Sequence, residues 1–344
     1  MKTNIYDISV AIIIPCRNEI DHIRKILDTA ISQSKKFKTS EIIIADGMSD
    51  DGTREIIKEF ISEKNIHLID NHKRIVSSGL NLAILSTECQ IIIRMDAHVE
   101  YASDYIEKSV YYLLKTEAQN VGGPARTKHS SYIQEANSLC YHSKFSVGGA
   151  RFHDVDYEGE VDTVTFGCWQ KRYLIEIGLF DEELVRNQDD ELNFRINLAG
   201  GKVWQTPQIK SWYYPRSRIR DIFMQYFQYG YWKVKVIKKH KQPASIRHLV
   251  PVSFVSSLLL LPLLGFVNLI FLYILSLVLL SYFSLNFLFS CFISFQNRTL
   301  KFLPILPIIF SCYHISYGTG FFIGLVNFLI IDKKTPDILK RLTR

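Results

Sequence analysis

Three short stretches of this 344-residue chain carry side chains whose types and spacing could do chemistry. In Asp46-Gly47-Met48-Ser49-Asp50-Asp51-Gly52-Thr53 an acid leaves an apolar run, a Gly/Ser turn follows, and Asp51-Gly52-Thr53 opens the next polar segment. A capped helix after a tight turn accounts for Asp51 and Gly52 but leaves Asp46 unexplained. In Asp96-Ala97-His98 a carboxylate and an imidazole stand two residues apart, a spacing that lets both reach one cation. The alternative for His98 is a hydrogen-bonding loop residue. Gln188-Asp189-Asp190-Glu191 sets three acids in a row ahead of a helical pattern. The helix dipole favours an acid or two there, and three leave room for catalysis.

Other chemistries are excluded. No GxGxxG follows the first apolar run and no GxxxxGK[ST] occurs, so dinucleotide and P-loop sites are absent. The six cysteines (16, 89, 140, 168, 291 and 312) show no CxxC or CxxH spacing, which points to reduced thiols rather than zinc or disulfides. Cys168 reads as a small buried residue, since no histidine partner is placed by the sequence.

The elements that must position these residues are legible as alternation. Val10–Ile14 ends at Pro15, Glu41–Ala45 ends at Asp46, and Gln90–Met95 ends at Asp96. Such Ile-rich runs suit parallel strands covered on both faces. Between them, helices are predicted over Asp21–Gln33, Thr53–Glu63 and Val76–Thr87. Strand and helix in repetition predict a doubly wound α/β sheet, whose ligands bind beyond the carboxyl ends of the strands. Pro15-Cys16-Arg17-Asn18-Glu19, Asp46-Gly47 and Asp96-Ala97-His98 would converge on that edge.

Charge divides the chain. The total is +7, yet residues 1–215 carry −6, residues 216–247 carry +8, and the rest is basic and sparsely charged. His248–Asn297 and Phe302–Ile331 contain no Asp, Glu, Lys or Arg, which gives room for two spans and then a third apolar segment. We therefore expect a catalytic part over 1–215, a basic amphipathic collar over 216–247, membrane segments over 248–331, and a basic tail over 332–344. Positive charge beside the apolar segments fits a bilayer surface rather than nucleic acid. With no secretory h-region at the N-terminus, the acidic part is expected in the cytoplasm, at the inner (cell) membrane. A third full span would carry the basic tail outward, and Pro304 and Pro307 could instead make that segment re-entrant or interfacial.

Taken in order, Pro15-x-x-Asn18-Glu19, Asp46…Asp51-Gly52-Thr53 and Arg94-Met95-Asp96-Ala97-His98 resemble family 2 glycosyltransferases of the GT-A fold. The subgroup resembled includes the bacterial succinoglycan-biosynthesis glycosyltransferases. Val147-Gly148-Gly149-Ala150-Arg151, Gly178-Leu179-Phe180-Asp181-Glu182, Asn187–Asn193 and His314-x-x-Tyr317-Gly318-x-Gly320 extend the likeness over essentially the whole chain. The resemblance implies inverting transfer of one sugar from a nucleotide-diphosphate sugar, a UDP-sugar by preference, to a lipid-linked saccharide in cell-surface polysaccharide synthesis.

By the same resemblance, Pro15, Glu19 and Asp46 would line the nucleobase pocket, and Lys73, Arg74, Asn81 and Asp96 would meet the rest of the donor. Asp96 with His98 would hold a divalent metal, Mn2+ or Mg2+. Asp189 would be the base, with Asp190 as rival, and Trp169, Asp181 and Glu191 would face the acceptor. A core position is the competing reading of Trp169. The processive synthases' Gln-x-x-Arg-Trp is not matched by Gln225-Tyr226-Phe227-Gln228-Tyr229, which favours single-sugar addition. Two alternatives stay open, a polyprenyl-phosphate glycosyltransferase and a non-catalytic nucleotide-binding membrane scaffold.

Overall fold

Continuous β-branched runs form strands buried on both faces, and the computed structural model contains them as such. It describes residues 4–62, 65–243, 245–331, 336 and 339. The expected helix end at Glu63 and nearly all of the basic tail, 332–344, lie outside the described residues. The strands are β1 Val10–Cys16, β2 Ser40–Asp46, β3 Ile66–Asp70, β4 Ile91–Arg94, β5 Glu100–Tyr101, β6 Asn120–Gly123, β7 Gly159–Glu160, β8 Thr165–Gln170, β9 Val203–Gln205 and β10 Ser211–Trp212. The helices are α1 Ile23–Ser34, α2 Thr53–Phe60, α3 Val76–Leu85, α4 Tyr105–Thr116, α5 Tyr132–Tyr141, α6 Lys144–Val147, α7 Lys171–Glu176, α8 Gln188–Leu198, α9 Ile219–His240, α10 Val250–Gly265, α11 Ile270–Gln296 and α12 Leu306–Leu325. The chain divides into two units, Met1–Thr127 with Arg151–Tyr214, and Lys128–Ala150 with Pro215–Arg344.

The first unit is built on an eight-stranded sheet of order β3-β2-β1-β4-β8-β6-β9-β7. The strands β3, β2, β1 and β4 run parallel, whereas β8 pairs antiparallel with both β4 and β6. Alternation along the strands divides the core. Ile12, Ile14, Ile42 and Ile44 face Ile23, Leu27, Ile106 and Leu113 of α1 and α4. Ile13, Ile43 and Ile92 face Leu80, Ile84, Leu174 and Ile196 of α3, α7 and α8. The first connections leave β1 towards β2, and β4 then returns to its other side, so strand order reverses between β1 and β4. That reversal opens the crevice where α/β sheets bind ligands. Pro15 lies past Ile13, the last β1 residue paired with β4, so its missing N–H interrupts no bond on that side.

In the second unit, the segment 128–150 packs with the C-terminal helices. Tyr132 stacks on Phe302 at 5.2 Å, and Phe145 lies 5.0 Å from Phe289 and 5.1 Å from Phe310. No local sequence pattern sets this segment apart from the residues around it. Three helical stretches, Ile246–Gly265, Ile270–Gln296 and Leu306–Ile331, are long and apolar enough to cross a membrane. The collar's apolar stripe is spent on α12, which it meets in backbone contact: a Cβ at Gly230 would lie 2.0 Å from the Tyr317 carbonyl oxygen.

Candidate active site

The loops after β1 and β2 are fastened to each other before any ligand enters. Asn18, at φ 55°, takes a 2.8 Å bond from its backbone N–H to Ser49 Oγ, and its side chain exchanges bonds with Asp50. The backbone N–H groups of Glu19 and Ile20 donate to Thr53 Oγ1 and Asp51 Oδ2. Asp51 also accepts from the backbone N–H and hydroxyl of Thr53 at 3.0 and 2.6 Å. Gly52 sits at φ 100° with Ile20 Cδ1 2.8 Å from where a Cβ would be, so this turn requires glycine. The Asp-Gly-Thr motif is therefore a clasp between two strand ends.

Asp46 is fully buried, and its carboxylate accepts from Ser49 and from Arg54 Nη1 at 2.6 Å. Arg54 reaches on to Asp70 at 2.7 Å. The pair spans the ends of β2 and β3, where Asp46 and Asp70 stand in register. Arg54, the ion-pair partner of Asp46 that the sequence reading did not single out, directly follows the Asp-Gly-Thr clasp on the first turn of α2. Lys73 and Asn81 both bond to Glu182, at 2.5 and 3.0 Å, and Asn81 also bonds the backbone of Phe180. Lys73 and Asn81 together hold the Glu182 carboxyl below its ordinary range. The segments 73–81 and 180–182 are thus tied to one another, while Arg74, at φ 58°, remains exposed.

Arg94 joins the acids at the end of β4 and the start of α8. It ends β4 opposite Ile13 and is buried to 3% exposure. Its Nε and Nη2 donate to the two oxygens of Asp96 at 2.8 and 3.0 Å, while Nη1 donates to Asp189 Oδ1. One guanidinium therefore gathers two acids that stand 93 positions apart in the chain. The Phe166 ring lies 5.8 Å from the guanidinium carbon. Burial works against the charge on Arg94, but Asp189 and Asp96 outweigh it and lock the cation on. The Asp96 turn is held by a 2.6 Å bond from its backbone N–H to the Tyr101 hydroxyl.

Asp189 stands in the first turn of α8. The helix is pinned to the sheet by a buried amide chain, Asn120 to Asn193 at 2.7 Å and Asn193 to Thr163 at 2.8 Å. Burial raises the Asp189 carboxyl to about 6, with Arg94 pulling down and Asp96 and Asp190 adding to the rise. A helix N-terminus alone would lower it, so burial wins here. About a third of the side chain is still exposed (33%). Substrates in the cleft would cover that part, so the upward direction holds in a filled site.

Beside these acids, His98 Nδ1 lies 3.0 Å from Glu19 Oε1, and Glu19 is only 4% exposed. A carboxylate accepts only, so Nδ1 carries the proton and Nε2 is left as the electron-pair donor. Among the described residues no group of three or more His, Cys, Asp and Glu forms a closed metal cage. Carboxylate and imidazole are the hard-to-borderline donors that Mn2+ or Mg2+ takes together with diphosphate oxygens and water, while in this structure both Asp96 oxygens accept from Arg94.

The remaining expected residues go elsewhere. Trp169 is a core side chain, 1% exposed and 5.9 Å edge-on to Phe180. Glu191 is fully buried and bound by Arg195 at 2.9 Å, which in turn holds the Ile177 and Leu179 carbonyls. Asp181 is half-buried and accepts the Glu183 backbone N–H, and Asp190 is half-buried in the first turn of α8. Cys168 is buried, and burial pushes its thiol well up, leaving it inert.

Comparison with known proteins bears on the family and the fold. Residues 11–176 match the family model described as Glycosyl transferase family 2. The succinoglycan biosynthesis protein ExoA of Rhizobium meliloti (strain 1021) is 33% identical over 257 residues, covering 71% of this chain and 75% of that protein. A Methanococcus voltae protein, dolichyl N-acetyl-alpha-D-glucosaminyl phosphate 3-beta-D-2,3-diacetamido-2,3-dideoxy-beta-D-glucuronosyltransferase, is 30% identical over 327 residues, 92% of this chain and 97% of its own. Among solved structures, the mannosyltransferase PcManGT of Pyrobaculum calidifontis, in complex with GDP-Man and Mn2+, matches in fold with a TM-score of 0.52 at 18% identity. That match covers 68% of this chain and 64% of the mannosyltransferase, a little under two thirds of its length. The chain belongs to glycosyl transferase family 2: it is a glycosyltransferase of the GT-A fold.

Proposed function

We propose that this enzyme moves one sugar, with inversion, from a nucleotide-diphosphate sugar to a lipid-linked saccharide at the cytoplasmic face of the cell membrane, in cell-surface polysaccharide synthesis. The observation that carries the reading is the single buried guanidinium of Arg94 holding Asp96 and Asp189 at the strand-order reversal. One acid serves the donor diphosphate side and the other the acceptor. The acceptor class is supported by the succinoglycan relative and by the dolichyl-linked sugar in the name of the Methanococcus voltae relative. Three apolar helices supply the membrane association.

In this mechanism the acceptor hydroxyl oxygen attacks the anomeric carbon as the bond to the diphosphate oxygen breaks. The hydroxyl proton passes to Asp189, and the nucleoside diphosphate leaves with the bonding electron pair. A divalent cation, when bound, neutralises charge developing on that leaving group. Asp96 and His98 would hold it, and Glu19 orients the His98 ring. Arg94 keeps Asp189 aimed and largely ionised at neutral pH. Asp46, occupied by Arg54 and Ser49, contributes by fixing the floor on which a nucleobase, uracil by preference, would lie.

Two outcomes follow. Because Asp189 must be ionised to act, kcat/KM is expected to fall about tenfold per pH unit below roughly pH 6 and to level above it. A pH profile of initial rates under donor-limiting conditions checks this. Glu19→Gln is expected to weaken Mn2+ binding by about 10–100-fold, the usual cost of losing a carboxylate behind a ligating histidine. The free-Mn2+ electron paramagnetic resonance signal reads this without turnover. Isothermal titration of the full chain in detergent with UDP-sugars and GDP-mannose, with and without Mn2+, tests the donor class. Failure to bind any nucleotide sugar in the presence of Mn2+ would remove this function.

A further inference from the structure

We propose that α12 does not cross the bilayer, although its length and composition would allow it, and that α9 and α12 lie together along the lipid headgroup plane on the side from which the chain enters. The two helices run parallel and in register. Cys312 Sγ meets the Ile219 carbonyl at 3.7 Å, and Lys238 Nζ donates at 2.6 Å to the carbonyl of Phe328, in the π-helical turn Val326–Ile331 that continues α12. Between these ends the backbones touch: a Cβ at Gly320 would lie 2.0 Å from the Phe227 carbonyl oxygen, and one at Gly324 2.8 Å from that of Tyr231. Helices seated this closely over five turns share one inclination to the membrane.

α9 fixes what that inclination is. Its uncharged stretch, residues 222–232, is bounded by Arg220 and Asp221 on one side and by Lys233 and Lys235 on the other, with Lys238 and Lys239 following. Eleven residues rise about 16 Å, against roughly 30 Å of hydrocarbon. A crossing would immerse charges at both ends of the helix. Lying flat, α9 keeps Lys233 buried in the protein and brings the half-buried Lys235 and the exposed Lys238 and Lys239 to the level of anionic headgroups, and α12 must lie beside it.

The hairpin α10–α11 is differently disposed. Its buried residues are Val252 and Val255 on α10 and Asn286, Ser290, Ile293 and Ser294 on α11. The contacts with α12 lie in that part: a Cβ at Gly318 would fall 2.3 Å from the Pro251 carbonyl oxygen, and Asn286 Nδ2 donates to the Pro307 carbonyl at 3.0 Å. The hairpin tip is bare, with Phe266 92% and Val267 82% exposed. A lipid-immersed hairpin returns the chain to its starting side, and an in-plane α12 keeps it there. The tail, with Lys333, Lys334, Lys340, Arg341 and Arg344, then stays on the side that the positive-inside tendency prefers.

This inference does not rest on the transfer reaction. The test is cysteine accessibility in sealed inverted membrane vesicles, using the full chain with Cys291→Ser, the other five cysteines being buried. Arg344→Cys reports on the chain end, and Glu88→Cys, at a side chain 97% exposed in the first unit, is the reference. A membrane-impermeant maleimide is expected to modify both to the same extent before detergent is added. Protection of Arg344→Cys until detergent, with Glu88→Cys already modified, would overturn the proposal. Protease removal of a C-terminal epitope in the same vesicles gives a second readout, expected without detergent and contradicting the proposal if it requires detergent.

Discussion

Replacing Asp189 with Asn is expected to lower sugar transfer by about 10²–10⁴-fold, the range that a positioned general base supplies, while donor affinity stays nearly unchanged. The substitution keeps size and hydrogen bonding to Arg94 but removes the proton acceptor. Asp189 meets the two requirements of a base. It is held by a buried partner that fixes its direction, and its carboxyl is raised to about 6, so it is ionised at neutral pH yet still basic enough to take a proton. Asp190, in the same turn, is the internal control. If Asp190→Asn produces the large loss and Asp189→Asn does not, the roles are reversed. Initial rates together with donor titration separate a lost base from lost binding.

Arg94→Met is expected to be the most damaging single change in the first unit. It leaves Asp96 and Asp189 facing one another without their shared cation. Breaking a buried pair from one side costs about 3–5 kcal/mol, and the low end applies here because both carboxylates keep some exposure. Arg94→Lys restores the charge but not the fork. An ammonium cannot present Nε and Nη2 to one carboxylate and Nη1 to another, so folding is expected to recover while turnover does not. In Arg94→Met the acid limb of kcat/KM should move upward from pH 6, because the charge on Arg94 is what holds the Asp189 carboxyl down, whereas Arg94→Lys should keep it nearer pH 6. Thermal unfolding and the pH profile, measured on both variants, distinguish these effects.

Much of this was legible in the chain. The Ile runs gave strands whose neighbours on both faces are helices, and Asp46 and Asp96 stand at the carboxyl ends of β2 and β4, because a strand's end and its loop are local features. What depends on closure of the fold was not legible. Arg94 looks like a strand residue, and its partner Asp189 is 95 positions away. The available signal was a charge inside the apolar run Ile91-Ile92-Ile93-Arg94-Met95, which demands a buried counter-charge. Trp169, Glu191, Lys73 and Asn81 occur in the right motifs, but the structure spends them on the core or on one another. A motif records which residues stand together in sequence; whether a side chain meets a ligand or a neighbour is decided by packing. The segment 128–150 is a similar case, since its Tyr132 and Phe145 find partners more than 140 residues later.

The most direct test of the account follows a labelled sugar from its nucleotide donor, using the full chain in lipid nanodiscs with Mn2+ and a membrane lipid extract. Wild type is predicted to move the label into organic-extractable lipid bearing an extended saccharide, and the Asp189→Asn, Asp190→Asn double variant is predicted to leave it in the aqueous phase. Undiminished label in the lipid fraction of the double variant, carried on a polyprenyl phosphate rather than on a saccharide, would contradict base-assisted transfer to a sugar hydroxyl.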